Sequence, residues 1–208
     1  MITSTYNGIQ ASTRTIVVKL RSDSLYRPES ANRLRKLINV YNKQKLLVAM
    51  HSMPMNPFML DDKIQIGTKE LLSIFWSIGS LNNLIDLAHI KVGVSLQKQV
   101  YPTNHMIMSP EQILFLRYTG LNINSIKSGY SCNLYYLYSM RRSFEFINAP
   151  YYGFGSIKWD YEDNIYLKTY LLMINCLNKN VVSLIIYIAN ILKSVAKTLK
   201  LMKREFYV

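Results

Sequence analysis

Cysteine, acid and catalytic signatures are what this chain has least of. Its 208 residues include two cysteines, Cys132 and Cys176. They are too few and too far apart for a disulfide framework or a metal cluster, and are expected to be buried, inert thiols. The three histidines, His51, His89 and His105, stand alone, with no second His or Cys at ligand spacing. No GxSxG, P-loop or GxGxxG sequence is present, and Gly153-Phe-Gly155 lacks the third glycine and the lysine of a phosphate loop. Asp160, Glu162 and Asp163 are close enough together for a metal, but acids in that position more simply cap the helix that follows. Asp61-Asp62, before a strand, reads as a turn. These absences argue against an enzyme and imply no cofactor, no metal and no small-molecule substrate.

Long apolar runs are missing too. A membrane span needs about 20 predominantly apolar residues. The best candidate, Val181 to Leu192, is shorter, is interrupted by Asn190 and is bracketed by Lys179 and Lys193. It reads as a buried helix. Gly, Ala, Arg and Pro together supply only 30 residues, whereas Ile, Asn, Tyr, Lys, Met and Phe supply 88. The first set has GC-rich codons and the second AT-rich ones, so the skew points to an AT-rich genome: an organelle, some viruses or some parasites. Residues 1–22 hold no acid and look like a weak transit peptide. An organelle-encoded chain would need no such address, and the segment is expected to be retained.

What is abundant is positive charge, unevenly placed. The formal net charge is +13; residues 1–45 carry nine basic and two acidic side chains, and residues 193–208 carry five and one. The stretch between is nearly neutral and strongly apolar. A compact body with basic ends suits a polyanionic partner. The candidate RNA-binding residues are therefore Arg14, Lys19, Arg21, Arg27, Arg33, Arg35, Lys36, Lys43 and Lys45 near the N-terminus. Lys193, Lys197, Lys200 and Arg204 form a stripe along one C-terminal helix. Arg141 and Arg142 lie among Tyr135, Tyr136, Tyr138, Tyr151, Tyr152, Phe154 and Trp159, a mixture on which unstacked bases can stack. A helix on a membrane surface would carry the same C-terminal stripe.

The pattern predicts a basic N-terminal extension over 1–27, with residues 1–15 an extended arm. An α/β domain follows over 28–180, then a C-terminal basic amphipathic helix over 181–208. Within the domain, a helix should begin near Pro28 and carry Leu34, Leu37, Ile38 and Tyr41 on one face. Leu46–Met50 and Lys63–Ile66 have strand character, and Thr68 should cap a helix stopping at Gly79. Another helix is expected from Ser80, and a strand near Ile90–Val94. Ser109-Pro110-Glu111-Gln112 signals a further helix, ending at Gly120. Leu134–Tyr138 is expected as a strand, Arg141–Ile147 as a helical turn and Tyr151–Ile157 as strand or loop, with helices at 163–177 and 181–204. The alternation implies an α/β fold, a three-layer α/β/α body on a mainly parallel sheet.

The order of landmarks over residues 46–178 resembles the family of the second small-subunit ribosomal protein. His51 and Asn56-Pro57 precede the strand at Ile64–Ile66 and the helix from Thr68. Leu134–Tyr138, Arg141–Ile147, Ala149-Pro150 and Glu162-Asp163-Asn164 occupy similar places to the family's later strand, helix, Ile-Pro and acidic loop. The resemblance implies a mitochondrion-encoded structural constituent of the small ribosomal subunit, in the matrix. Its partners would be ribosomal RNA and neighbouring ribosomal proteins. The alternatives are an accessory subunit of an organellar membrane complex, with 163–204 in or on the bilayer, and an AT-rich viral nucleic-acid-binding protein or degenerate enzyme.

Overall fold

A computed structural model describes residues 2–51, 56–77, 107–123 and 129–156, together with Ile85, His89, Val100, Tyr170, Leu171 and Ile174. The chain opens with α1 (Ile2–Ala11), β1 (Ile16–Leu20), β2 (Ser24–Tyr26), α2 (Ser30–Val40) and β3 (Leu46–Met50). β4 (Ile64–Thr68) and α3 (Lys69–Trp76) follow, then α4 (Pro110–Thr119), α5 (Gly129–Ser143), β5 (Phe144–Asn148), a 3-10 turn (Pro150–Tyr152) and β6 (Phe154–Ser156).

Four strands form one sheet in the order β1-β4-β3-β5. β4 runs antiparallel to both of its neighbours, and β3 pairs with β5 in parallel, Leu46 opposite Phe144. The fold is α/β, but the sheet is mixed, not mainly parallel as the alternation of elements suggested. β1, β3 and β5 point one way and β4 is reversed, because β4 takes the place between β1 and β3. β2 and β6 pair separately as a short antiparallel ribbon.

The central strand β3 is buried along its whole length, as a continuous apolar run should be. Alternation then divides its side chains between two faces. Leu46, Val48 and Met50 enter a large core with Leu72, Phe75, Trp76, Phe115, Tyr136 and Phe144. Leu47 joins Ile66, Ile16, Val18 and the inner side of α2, where Leu34, Leu37, Ile38 and Tyr41 pack. The predicted face of α2 is therefore the one it buries.

Local signals hold where they are strong. The Thr68 hydroxyl accepts from the Leu71 N–H at the start of α3. Ser109 and Gln112 form a reciprocal capping box at α4, and Gly120 ends that helix in the left-handed region, φ 65°. Three other expectations fail. Residues 2–11 are a helix, not an extended arm. Ile2, Tyr6 and Ile9 form a sparse stripe that docks on the core beside α3; beyond it, Ile16–Leu20 and Ser24–Tyr26 pair in the sheet and the ribbon as β1 and β2. Leu134–Tyr138 lies inside α5 rather than in a strand. Cys132, Tyr136 and Met140 recur at helical spacing and are all buried there, so tertiary burial overrides β-type composition. Residues 144–147, expected to be helical with Arg141, are β5, because Phe144 and Phe146 alternate into the core beside β3. The helix from Ser80, the strand at Ile90–Val94 and most of the two C-terminal helices lie outside the described residues.

Candidate nucleic-acid interface

The described cations among those predicted divide into buried or half-buried ones and exposed ones. Lys19 belongs to the first group. It is 8% exposed, and its Nζ lies 3.2 Å from Asp62 Oδ2 and 4.9 Å from the Trp76 ring centroid. It also donates to the Asp62 carbonyl. Burial holds its pKa below the ordinary value against the opposing attraction of Asp62. Arg21 is engaged as well, by a two-bond fork to Asp23 at 2.8 Å and by Asp62 at 3.2 Å. Hydrogen bonding to Asp23 raises the Arg21 pKa, and the same bond lowers that of Asp23. Lys19 and Arg21 are thus both engaged by carboxylates within the fold. Lys45 is half-buried and donates to the Arg141 carbonyl at 3.0 Å.

Beside this network His51 Nδ1 meets Asp61 Oδ2 at 2.9 Å. Burial pushes the Asp61 carboxyl up. The His51 hydrogen bond and charge, with the Lys63 N–H, outweigh it and hold the group below its ordinary 3.8. Its contribution to stability is then fully present above 3.8 and lost as pH falls through the lower folded value. Acid unfolding of the wild-type chain should show this proton uptake, and Asp61→Asn should remove it. An unchanged acid limb in that variant would show that Asp61 carries none of the linkage.

The exposed group is Arg14, Arg27, Arg33, Arg35, Lys36, Lys43 and Arg142. Folding brings two of them, from separate segments, to one place. Arg14 in the turn after α1 and Lys43 in the turn before β3 line an open cleft of about 1070 Å³ at the start of α3. Lys69 and Thr68 lie on its wall, with Glu70 as its one acid. Lys69 donates to the carbonyls of Gln10 and Ser12, which fixes the turn that carries Arg14. Sequence reading missed Lys69, since a lone lysine after a cap carries no signal of its own. Lys43 has φ 61°, a left-handed backbone within the turn joining α2 to β3.

A second basic surface is the outer side of α2. Arg35 and Lys36 are exposed there, and the Arg33 guanidinium lies 5.6 Å from the Tyr151 ring centroid. Arg33 also donates to the Tyr151 carbonyl, which holds the planar pair together. Tyr151 is 62% exposed. The C-terminal stripe of Lys193, Lys197, Lys200 and Arg204 lies outside the described residues, as does the 163–204 segment on which the membrane alternative depends. Among the described residues no helix is long and apolar enough to cross a membrane, and no cluster of His, Cys, Asp or Glu could hold a metal.

No known protein family matches the chain, no curated protein is similar to it, and no solved structure matches its fold.

Proposed function

We propose that this protein is a non-catalytic, RNA-binding structural subunit of the small subunit of a mitochondrial ribosome. The observation that carries this reading is the meeting of Arg14 and Lys43 with Lys69 around one open cleft, in a chain of formal charge +13. Cations from distant segments on a rigid frame suit a fixed polyphosphate better than they suit random solvation. The α2 surface with Arg33, Arg35 and Lys36 supplies a further stretch of positive charge. In this reading the three-layer α/β/α body docks on ribosomal RNA and on neighbouring proteins in the matrix, and the C-terminal cationic stripe adds a further anchor. The order of landmarks shared with the second small-subunit ribosomal protein family supports the ribosomal assignment, although two of them, 134–138 and 141–147, are helix and mainly strand here instead of strand and helix.

Sedimentation of native organelle extract tests the assignment: the protein should travel with a ribosomal subunit and shift when the RNA is digested. In binding to structured RNA, Arg14→Gln with Lys43→Gln should weaken affinity for all sequences alike. The double variant should also flatten the salt dependence by about two phosphate contacts. An unchanged salt slope would remove the cleft from the interface.

A further inference from the structure

We propose that the cleft of Arg14 and Lys43 holds the sugar–phosphate backbone of double-stranded RNA, not a single strand. This deepens the reading above and rests on it. None of the described residues lining the cleft is aromatic. Sites for unpaired strands pair a basic groove with rings on which the bases stack. In this cleft a single strand would find charge but no ring, and its bases would gain nothing.

The lining carries hydroxyls instead, on Ser12, Thr13, Thr15 and Thr68. Duplex RNA is recognised by such groups, through its phosphate oxygens and the 2′-hydroxyls along its wide minor groove. Thr13 and Thr15 flank Arg14 and are exposed with it. The Ser12 and Thr68 hydroxyls each accept a backbone N–H, from Arg14 and Leu71, and keep a proton to donate.

The frame around these groups is stiff. The Lys69 N–H donates to the Thr15 carbonyl at 2.8 Å, and its Nζ donates to Gln10 and Ser12 at 2.7 and 2.9 Å. Gln10 Nε2 donates to Ser73 Oγ at 2.8 Å, and that hydroxyl donates to the Lys69 carbonyl at 2.6 Å. The turn carrying Arg14 is thus tied to α3 from both sides. Lys69 contributes position and charge, while Arg14 and Lys43 make no ion pair among the described residues. Glu70 is the one acid on the described lining. A flexible strand must lose freedom to meet cations fixed in this way, whereas a duplex brings its phosphates already in register.

The test measures binding of the full chain to an RNA duplex of about 16 base pairs, to its separated strands and to a DNA duplex of the same sequence. The RNA duplex should bind roughly tenfold more tightly than either competitor, the gain expected from about two hydrogen bonds. Thr13→Val with Thr15→Val keeps charge and side-chain shape, and should bring the RNA duplex down to the level of the DNA duplex. In native particles, diepoxybutane should crosslink wild-type Lys43 to paired nucleotides, a readout independent of any variant's folding.

Equal or tighter binding of the separated strands would overturn the duplex proposal and leave the RNA-binding assignment standing. Equal binding of the RNA and DNA duplexes would do the same, as would an RNA preference that survives the valine variant. Lys43 crosslinks only to unpaired nucleotides, or only to a protein neighbour, would also overturn it. No binding to any of these nucleic acids would remove the RNA-binding reading itself, and the duplex proposal with it.

Discussion

Asp62→Ala is expected to destabilise the protein by about 3–5 kcal/mol, the cost typical of removing one partner from a buried ion pair. The side chains of Lys19 and Asp62 are only 7% and 9% exposed, so water cannot replace the lost carboxylate. Lys19 would keep its stacking on Trp76 and its bond to the residue 62 carbonyl, but its charge would be uncompensated. Lys19→Met should cost less, because Arg21 remains 3.2 Å from Asp62 and still satisfies the carboxylate. Replacing both, with Asp62→Leu beside Lys19→Met, should recover much of the loss. The sign of the pH response follows. Burial already places the folded Lys19 pKa below its ordinary 10.5, so the unfolded chain binds more protons in the interval below that value. Stability associated with this group therefore rises with pH through that interval, and the Asp62→Ala deficit should shrink on the alkaline side. Urea denaturation across pH measures both effects. A loss no larger than that of Lys19→Met would contradict the asymmetry.

Phe144→Ala should cost a similar amount, about 3–5 kcal/mol, through the cavity it leaves. Phe144 is 0% exposed and stands at the first residue of β5, where three elements meet. Its ring centroid lies 6.0 Å from Phe75 of α3, 5.7 Å from Phe115 and 5.3 Å from Tyr118 of α4. It therefore joins the parallel β3–β5 pair to the helices on that face. Phe146, two residues on, points the same way but is only half-buried. Phe146→Ala should lose clearly less, read from the shift in urea midpoint. Equal losses at the two positions would mean that Phe144 is not the joint of the core.

Legibility in the sequence followed the range of the interactions involved. The caps at Thr68 and Ser109 and the stop at Gly120 were readable, because each is settled within about one helical turn. β3 was readable as a short apolar run, and α2 from the spacing of Leu34, Leu37, Ile38 and Tyr41. α1 was not, since its buried stripe of Ile2, Tyr6 and Ile9 is too thin to show periodicity and is helical against α3. The boundary at Ser143 was misread in both directions. Tyrosine-rich α5 has strand-like composition, while β5 is short and follows the helix with no breaker between them. The turn at Asp61-Asp62 was seen as a turn, and Lys63 N–H does bond back to Asp61. What each carboxylate holds was invisible, since His51 reaches Asp61 from just past the end of β3 and Lys19 reaches Asp62 from β1.

The sequence by itself determined the excess of positive charge and its bias toward the ends. It also settled the apolar content that makes a core and the local signals that start and stop helices. These depend on composition and near neighbours alone. Only the tertiary structure decided which cations remain available. The pairing of β1 with β4 carries Lys19 inward to Asp62, because alternation along the strand puts it on the face that Trp76 closes. The same packing leaves Arg14 and Lys43 in open turns, around a cleft that no single stretch of chain could form.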